Sequence, residues 1–541
     1  MTKVDYYNKE TRPWNGPRMY YGAIIGHTTS QSAKIWLRVR YEGDYSLILT
    51  KRALTAEELD LNDQSGQSAL DALADIIVDQ STANFNNAQD RSHVFELTDL
   101  EADNVYYYYL IAHDENADNT VCIGRETTHT FKTLSTNDDR LSFGLYSCHD
   151  PYKQNSGTAM WRQLYQALKE TQSDFVIGGG DQIYVDSTKS DIWKWLKKYK
   201  NDVLELSDDE MKTAMLSWYQ DVYRGYWGFP DVKAVHRSIP NYMIWDDHEI
   251  MDGWGSRTRS ELADELDTWY EWENSRKNLK LADRMFEAAK IVYEQYQHSH
   301  NPTTAEAVYD FSIQPKHASV YFLDMRGYRE FDLKVLKRRD GQNATDRILG
   351  RSQWQRFKSW MQAIPDQTKV IYIVSPVPVV HWSNLAVNSA DVFGAKDDLR
   401  DEWDHETNHR ERDKMLTALF TLSHSRQIPV VFLSGDVHLS AVFRLTHQKY
   451  RQARVFQVTA SPLTRPPVPE FANIILSHQG YLKTGKKDSD FRYQRLGVLN
   501  ARNFCILESH FNEDETLTIC AKFYGEGIDQ DDYRVQSIGL V

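Results

Sequence analysis

The stretch that decides the fold is FVIGGGDQIY, residues 175–184. It begins with Phe175, Val176 and Ile177, an apolar run typical of a buried β-strand. Three glycines follow, and they let the backbone turn sharply and approach a neighbour closely because no Cβ is in the way. Asp181 follows the glycines directly, and Tyr184 comes after Gln182 and Ile183. A buried strand that ends in this way predicts a functional loop.

Three other apolar runs also end in polar, metal-type side chains. The groups are Cys148, His149 and Asp150 after LSFGLYS, Asp246 to Glu249 after MIW, and Asp436 and His438 after VVFLSG. Because loops at the carboxyl ends of strands in an open α/β sheet gather side chains from several strands, these four ends predict one common site. Several carboxylates buried together repel one another unless cations neutralise them, so the pattern predicts a bound metal cluster.

The pattern of elements changes near residue 136. Residues 21–134 contain short alternating segments such as AKIWLRVRY and VYYYYLIAHD, which are typical of a small antiparallel sandwich. Beyond them, strand-length apolar runs alternate with longer helical stretches, as in a layered α/β domain. We predict an immunoglobulin- or fibronectin-like β-sandwich over residues 1–136 and a catalytic domain over residues 137–541. Helical insertions are predicted near residues 186–240 and 255–305.

Composition limits the partners and the location of the chain. The 541 residues carry a formal net charge of -14, which disfavours binding to nucleic acid, other than as a substrate, and to anionic membranes. No apolar run is long enough to span a bilayer, and the first residues lack the apolar core of a signal peptide. We therefore expect a cytoplasmic location. The four cysteines show no close spacing and predict no disulfide framework.

The types of candidate ligand suggest two unlike metals. A phenol has a pKa of about 10 and binds metals poorly at neutral pH unless a strong Lewis acid deprotonates it, so Tyr184 favours Fe3+. The thiolate of Cys148 also favours a transition metal. Asp247, Asp252 and Asp436 offer hard oxygens that suit Ca2+, Mg2+ or Mn2+.

These motifs resemble the PhoD-like alkaline phosphatases of the calcineurin-like metallophosphoesterase superfamily. SCHD, GGGDQIY, WDDHE, LDMRGYR and SGDVH occur in the order typical of that family, and the likeness spans most of the chain. The resemblance implies an α/β fold of layered α+β type. In it, an αββα-type metallophosphoesterase sandwich follows a small antiparallel β-sandwich domain.

The resemblance also implies the metal ligands. The implied iron ligands are Cys148, Asp181, Tyr184 and His438, with Asp181 as the bridge. Asp436 and an oxygen from the DDHEIMDG segment would hold the second metal, and either Asp247 or Asp252 could supply that oxygen. Fe3+ with Ca2+ is the implied pair, with Mn2+, Zn2+ and Mg2+ as alternatives.

The implied activity is hydrolysis of phosphoric ester bonds in a small-molecule substrate. A hydroxide activated by two metals would attack phosphorus in line with the leaving oxygen. His248 would protonate the leaving alkoxide or orient the phosphate, and His149 is a second candidate for this work. The alternative for His248 is a histidine that supports a carboxylate ligand.

Other functions fit parts of the sequence. A phosphodiesterase acting on nucleotides or phospholipid headgroups would use the same metals, because the loops around the leaving group decide between mono- and diesters. A non-catalytic binding protein that retains the fold would fit the N-terminal sandwich and the aromatic content. A serine hydrolase is disfavoured because no GxSxG motif is present.

Overall fold

In the residues that the structure describes, the strands form four sheets, two large and two small. The structure is a computed structural model that describes residues 17–61, 65–113, 117–137, 139–187, 190–270, 275–380, 400, 403–469, 478–482, 489–527 and 533–541.

The β-strands are β1 (Gly22–Thr28), β2 (Ala33–Arg38), β3 (Gly43–Thr50), β4 (Asp79–Phe85), β5 (Ser92–Leu97), β6 (Val105–Ala112), β7 (Val121–Ile123), β8 (Thr130–Lys132), β9 (Arg140–Tyr146), β10 (Phe175–Gly179), β11 (Asn241–Ile244), β12 (Phe311–Ile313), β13 (Ala318–Phe322), β14 (Val370–Val374), β15 (Val430–Ser434), β16 (Ser440–His447), β17 (Val455–Thr459), β18 (Gln479–Tyr481), β19 (Phe491–Leu499), β20 (Asn503–Phe511), β21 (Leu517–Glu526) and β22 (Tyr533–Gly539). The α-helices are α1 (Ala56–Leu59), α2 (Gly66–Leu73), α3 (Ala159–Glu170), α4 (Ile192–Glu205), α5 (Asp208–Tyr226), α6 (Pro230–His236), α7 (Arg259–Tyr270), α8 (Ser275–Tyr296), α9 (Leu333–Asp340), α10 (Gly350–Ala363) and α11 (His409–Arg426).

The two large sheets each combine parallel and antiparallel strands. The first has the order β11-β10-β9-β20-β21-β22, and its strands β9, β10 and β11 run parallel. The second has the order β12-β13-β14-β15-β17-β16-β19-β18, with β13, β14, β15 and β17 parallel. Parallel strands need crossover connections, and the helices between them supply these. The carboxyl ends of the parallel strands therefore gather at one edge of each sheet.

The layers follow from the alternation of side chains along the strands. In β9, Phe143 and Leu145 belong to a core shared by the two large sheets, whereas Tyr146 packs with helices on the outer face. The outer face of the second sheet packs on α10 and α11 through residues such as Phe357 and Leu419. Helices thus cover both outer faces. The α/β layered fold that the sequence predicts is confirmed, with sheets inside and helices outside.

The N-terminal strands form two small sheets with a core of their own. One has the order β1-β2-β5, and the other has the order β4-β3-β6-β7 with β8 paired to β6. Ile35, Leu47 and Tyr108 lie in the apolar cluster between them. Strand β9 of the first large sheet begins at Arg140, shortly after the last of these strands. The domain boundary at residue 136 stays a prediction.

Long helices occupy both stretches where the sequence predicts insertions. Helices α4 to α6 lie within residues 192–236, and α7 and α8 lie within residues 259–296. Trp218, Val222 and Met285 belong to the apolar cluster that packs on the first large sheet. Within the described ranges, no helix is both long enough and apolar enough to cross a membrane.

Candidate metal centre

The loops after four parallel strands converge where the two large sheets meet. Cys148 follows β9, Asp181 follows β10, Asp247 follows β11 and Asp436 follows β15. The sheets approach closely here because Gly435 has no side chain: a Cβ at this position would lie 2.4 Å from Cβ of Ser147. The close approach brings ligands from both sheets to one point.

Four of the predicted ligands have a left-handed backbone. The φ angles are 58° at Cys148, 57° at Asp181, 68° at Asp436 and 51° at His438. Such a conformation costs roughly 1–3 kcal/mol for a residue with a side chain, and it persists only where the surrounding structure imposes it. Strain at four of the predicted ligands fits a site in which the positions of these side chains matter for function.

A first group of side chains combines sulfur, nitrogen and oxygen donors. Ligand atoms of Cys148, Asp181 and His438 lie within 4.8 Å of one another. The Cys148 Sγ lies 3.4 Å from Asp181 Oδ2, and the Tyr184 hydroxyl lies 3.3 Å from His438 Nε2. Burial, and then the neighbouring Asp181, raise the pKa values of the Cys148 thiol and the Tyr184 phenol well above their usual values. Both groups would therefore ionise only with a cation present.

A second group consists of carboxylates alone. Oxygens of Asp181, Asp246, Asp247 and Asp436 lie within 4.8 Å of one another. Among the described residues, Oδ1 of Asp181 and Oδ1 of Asp247 are buried without a hydrogen-bond partner. Burial, with a contribution from Asp247, raises the pKa of Asp181 to about 6 although His248 opposes it. Orphaned buried oxygens among like charges fit a cation site, and the donor set suits metal binding.

The carboxylate of Glu249 fixes the two ligand loops to each other. It accepts hydrogen bonds from the backbone N–H groups of Asp181 at 3.1 Å, Gln182 at 2.6 Å and Asp246 at 2.8 Å. It also accepts from Nε2 of Gln297 in the segment after α8, at 3.0 Å. Glu249 therefore orients ligands without being one of the grouped donors.

His248 lies beside the carboxylate group with both ring nitrogens engaged. Its Nδ1 is 2.8 Å from Asp186 Oδ1, and its Nε2 is 3.3 Å from a terminal nitrogen of Arg465. The Nδ1–H donates to Asp186. Burial opposes protonation of the ring, but the carboxylates of Asp186, Asp247 and Asp181 raise the pKa of His248 well above its usual value, which favours a proton on Nε2 as well. The Arg465 guanidinium also lies over the Tyr184 ring, 4.3 Å from its centroid. His248 thus lies between the Asp186 carboxylate and the Arg465 guanidinium at the edge of the site.

His149 lies outside these groups, in the packing of the helices. Its Nδ1 accepts from the Trp161 indole N–H at 3.0 Å, and its Nε2 is 3.2 Å from the Tyr226 carbonyl. Burial lowers the pKa of His149 to about 3, so the ring is neutral at ordinary pH. The catalytic role predicted for His149 has no support in this geometry, which instead gives the ring a packing role.

The structure also separates the two alternatives for the second metal. Asp247 is buried within the carboxylate group, whereas Asp252 is exposed and is not among the grouped donors of the described residues. The backbone N–H of Asp252 donates to Asp186 Oδ2 at 2.6 Å. Asp252 therefore supports the partner of His248, and Asp247 is the one of the two that lies among the grouped donors.

Sequence reasoning missed three charged residues at the site. Asp186 lies two positions after Tyr184, and Arg465 follows β17, the parallel neighbour of β15. The only sequence signal for Arg465 was its place in the segment after an apolar run of strand length. Arg326 belongs to the LDMRGYR motif; it donates through Nε to Asp246 at 2.5 Å and lies 3.5 Å from Asp247.

Comparison with known proteins identifies the family. A sequence model of the PhoD-like phosphatases matches residues 143–504, a range that contains every grouped donor. The chain belongs to the PhoD-like phosphatase family. Membership supports a phosphoric ester hydrolase in general, and the resemblance inferred from the motifs is confirmed.

Two individual proteins show the extent of the likeness. The solved structure of PhoD aligns with 97% of this chain and 90% of its own, at a TM-score of 0.63 and 15% identity, which shows a shared fold. The uncharacterized protein YGR266W of Saccharomyces cerevisiae is 21% identical over 350 residues, 54% of this chain. The match spans 48% of that relative, so the chain covers about half of its length.

Proposed function

We propose that the chain is a metal-dependent phosphoesterase of the alkaline phosphatase D type that uses two metal ions. The observation that carries the proposal is the pair of buried carboxylate oxygens on Asp181 and Asp247 that accept no hydrogen bond in the described chain, although the Arg326 guanidinium lies 3.5 Å from the one on Asp247. They lie among other carboxylates at strand ends, within the residues that the family model matches. A buried arrangement of this kind costs free energy without cations, and cations would make it a site for a phosphate ester.

The donor types suggest which ion each group would hold. Thiolate, imidazole and phenolate oxygen suit Fe3+, so Cys148, Tyr184 and His438 would hold iron with Asp181. Asp247 and Asp436 offer carboxylates alone and would hold Ca2+, with Asp181 shared. Mn2+, Zn2+ and Mg2+ are the alternatives. Bound metals would supply a nucleophile of lowered pKa and positive charge that offsets the phosphate.

The residues of the chain would position the substrate and move a proton. Arg465 brings a guanidinium to the edge of the carboxylate group, and its planar donors suit the oxygens of a phosphate. A phosphate that engages Arg465 would release Nε2 of His248 from its present contact. With Asp186 holding Nδ1, the freed Nε2 could carry a proton to the leaving oxygen.

The second candidate is a phosphodiesterase acting on nucleotides or phospholipid headgroups. The same ligands, His248 and Arg465 would serve a diester, because the surroundings of the leaving group make the choice. A non-catalytic binding protein is the third candidate. It would retain the ligand loops but turn over no ester.

One assay separates the three candidates. The full-length chain, loaded with iron and calcium, is tested on a nitrophenyl phosphate monoester and a bis-nitrophenyl diester, beside Asp181→Asn. The matched control is Asp283→Asn, which removes a half-exposed carboxylate paired with Arg259. We expect turnover by the wild-type chain and the control and near-complete loss in Asp181→Asn.

The ratio of the two rates decides between mono- and diesterase. Absence of turnover with either ester, across iron, calcium, manganese, zinc and magnesium, would contradict the proposal and favour the binding protein. Activity that survives in Asp181→Asn would contradict the assignment of the site.

A further inference from the structure

A cavity lies between the N-terminal sandwich and helix α6, away from the metal centre. Its volume is about 470 Å³, which suits a small organic ligand. Residues of both parts line it, among them Tyr21, Asp118, Cys122, His129, Lys233 and Arg237. None of the grouped donors of the metal centre lines this cavity, so it is a separate place in the fold.

Two cations from the end of α6 line the cavity without anionic partners. Nε of Arg237 is buried and has no hydrogen-bond partner in the described chain. Neither Arg237 nor Lys233 forms an ion pair with an acidic residue of the described ranges. Because Nε is enclosed, a ligand in the cavity would meet the terminal nitrogens of the half-buried Arg237 guanidinium, which have no acidic partner among the described residues.

The other charged residues of the cavity are already engaged or exposed. Arg18 lies 3.5 Å from Asp221, and Arg125 donates to the side chain of Asn119 at 2.8 Å. The Asp118 carboxylate accepts from the hydroxyls of Tyr21 at 3.0 Å and Tyr41 at 3.1 Å.

Glu126, the remaining acid of the lining, is exposed and attracts Lys233 only electrostatically. The cavity therefore keeps an excess of positive charge in a chain whose net charge is -14.

The positive charges of Lys233 and Arg237 affect the pKa values of groups beside the cavity. Burial, and then Arg237, lower the pKa of Lys233. Burial lowers the pKa of His129 to about 4, and both cations contribute to the effect. An anion between Arg237 and Lys233 would relieve this repulsion.

We propose that the cavity binds a small phosphate-bearing molecule, held by Arg237 and Lys233. A guanidinium matches phosphate oxygens with parallel donors, and an ammonium adds a point charge. The volume exceeds that of inorganic phosphate and leaves room for an organic group against Tyr21 and Cys122. The site is independent of the metal centre and of the proposed hydrolysis.

Calorimetric titration with phenylphosphonate, a phosphate analogue that resists hydrolysis, tests the proposal. The metal-loaded full-length chain is compared with Lys233→Gln, Arg237→Gln and the double variant. Lys358→Gln is the matched control, since Lys358 is exposed on α10. Tyr108 donates to the backbone carbonyl of Arg237 at 2.9 Å, a contact that the substitution leaves in place. Inorganic phosphate and benzoate are titrated in parallel.

We expect one phenylphosphonate more per chain in the wild type than in the double variant. Each single variant should weaken this additional site about tenfold, since each removes one charge-assisted contact. The double variant should keep its hydrolysis of nitrophenyl phosphate, which shows an intact metal centre. Weaker binding of inorganic phosphate would support an organic phosphate as the ligand.

Two outcomes would overturn the proposal. If the wild type and the double variant bind the same number of phenylphosphonate molecules, Lys233 and Arg237 hold no ligand and only offset the partial negative charge at the carboxyl end of α6. Benzoate binding at the cavity without phenylphosphonate binding would mean that the site selects carboxylates.

Discussion

The Tyr184 hydroxyl donates a hydrogen bond to Oδ2 of Asp181 at 2.9 Å, although the two residues sit only three positions apart. The left-handed backbone of Asp181 turns its side chain back toward the phenol. The spacing in GGGDQIY thus brings a phenol and a carboxylate to one point, with His438 on the far side of the hydroxyl. In the proposed site both oxygens would bind the same ion.

The phenol of Tyr184 provides an optical test of iron binding. Fe3+ bound by a phenolate absorbs visible light, and resonance Raman excitation in that band shows the ring vibrations of the phenolate. The Cys148 thiolate would also give iron a visible band, so Tyr184→Phe should lose the ring vibrations and shift the absorption rather than bleach it. The control is Tyr242→Phe, because Tyr242 is also buried and its hydroxyl contacts His27 and the Thr28 carbonyl instead. An iron-loaded wild type without phenolate ring vibrations, or vibrations that survive in Tyr184→Phe, would contradict the assignment of this ligand.

Asp186 should matter through His248. Asp186→Asn removes the charge that holds Nδ1, and we expect kcat to fall about ten- to a hundredfold. If Nε2 delivers a proton, the loss should be larger for an alkyl phosphate than for nitrophenyl phosphate, whose leaving group needs no proton. The measurement is kcat for both esters. Equal losses would favour a histidine that only supports the site.

His300 gives a prediction on pH and stability away from the metals. Burial lowers its pKa from 6.5 to about 3, and neither ring nitrogen has a hydrogen-bond partner in the described chain. The folded state holds the neutral ring. The contribution of His300 to the free energy of unfolding is therefore complete above about pH 6.5 and is lost as the pH falls toward 3. Between pH 7 and pH 5 the wild type should lose about 2 kcal/mol more unfolding free energy than His300→Leu. Urea midpoints at both pH values measure the difference, and parallel losses would refute it.

Asp90 should hold the N-terminal sandwich to the helices. Its carboxylate accepts from Arg38 Nε at 3.1 Å within the sandwich and from Arg224 at 2.6 Å in α5, and the Tyr296 hydroxyl of α8 donates to it. Burial opposes ionisation of Asp90, but the two arginines lower its pKa to about 2. Asp90→Asn would leave buried Arg38 without its charge partner and should cost about 3 kcal/mol.

Thermal unfolding and limited proteolysis of Asp90→Asn test this contact. The exposed pair of Asp283 and Arg259 is the control, and Asp283→Asn should cost less than about 1 kcal/mol. A change no larger than that of the control would show that Asp90 does not join the two parts.

The sequence predicted the layered fold because strand-length apolar runs and their polar ends are local patterns. It placed Cys148, Asp181 and His438 together for the same reason. It could not distinguish Asp247 from Asp252, since both follow one strand and the folded loop buries Asp247, which accepts from the Gly253 N–H, while it leaves Asp252 exposed. Arg465 is 217 positions from His248, and a contact at that separation leaves no local pattern. The role of His149 depended on Trp161 and Tyr226, which the fold brings in from two helices.

Cation binding by the carboxylate group can be measured by counting the metals that the chain retains. Mass spectrometric metal counts on the full-length chain, reconstituted with iron and calcium and then desalted, are compared with Asp181→Asn and with Asp283→Asn. We expect two tightly held metals per chain in the wild type and in Asp283→Asn, and fewer in Asp181→Asn because it loses the shared ligand. A wild-type chain that retains no metal, or an Asp181→Asn chain that retains the same number, would contradict this expectation.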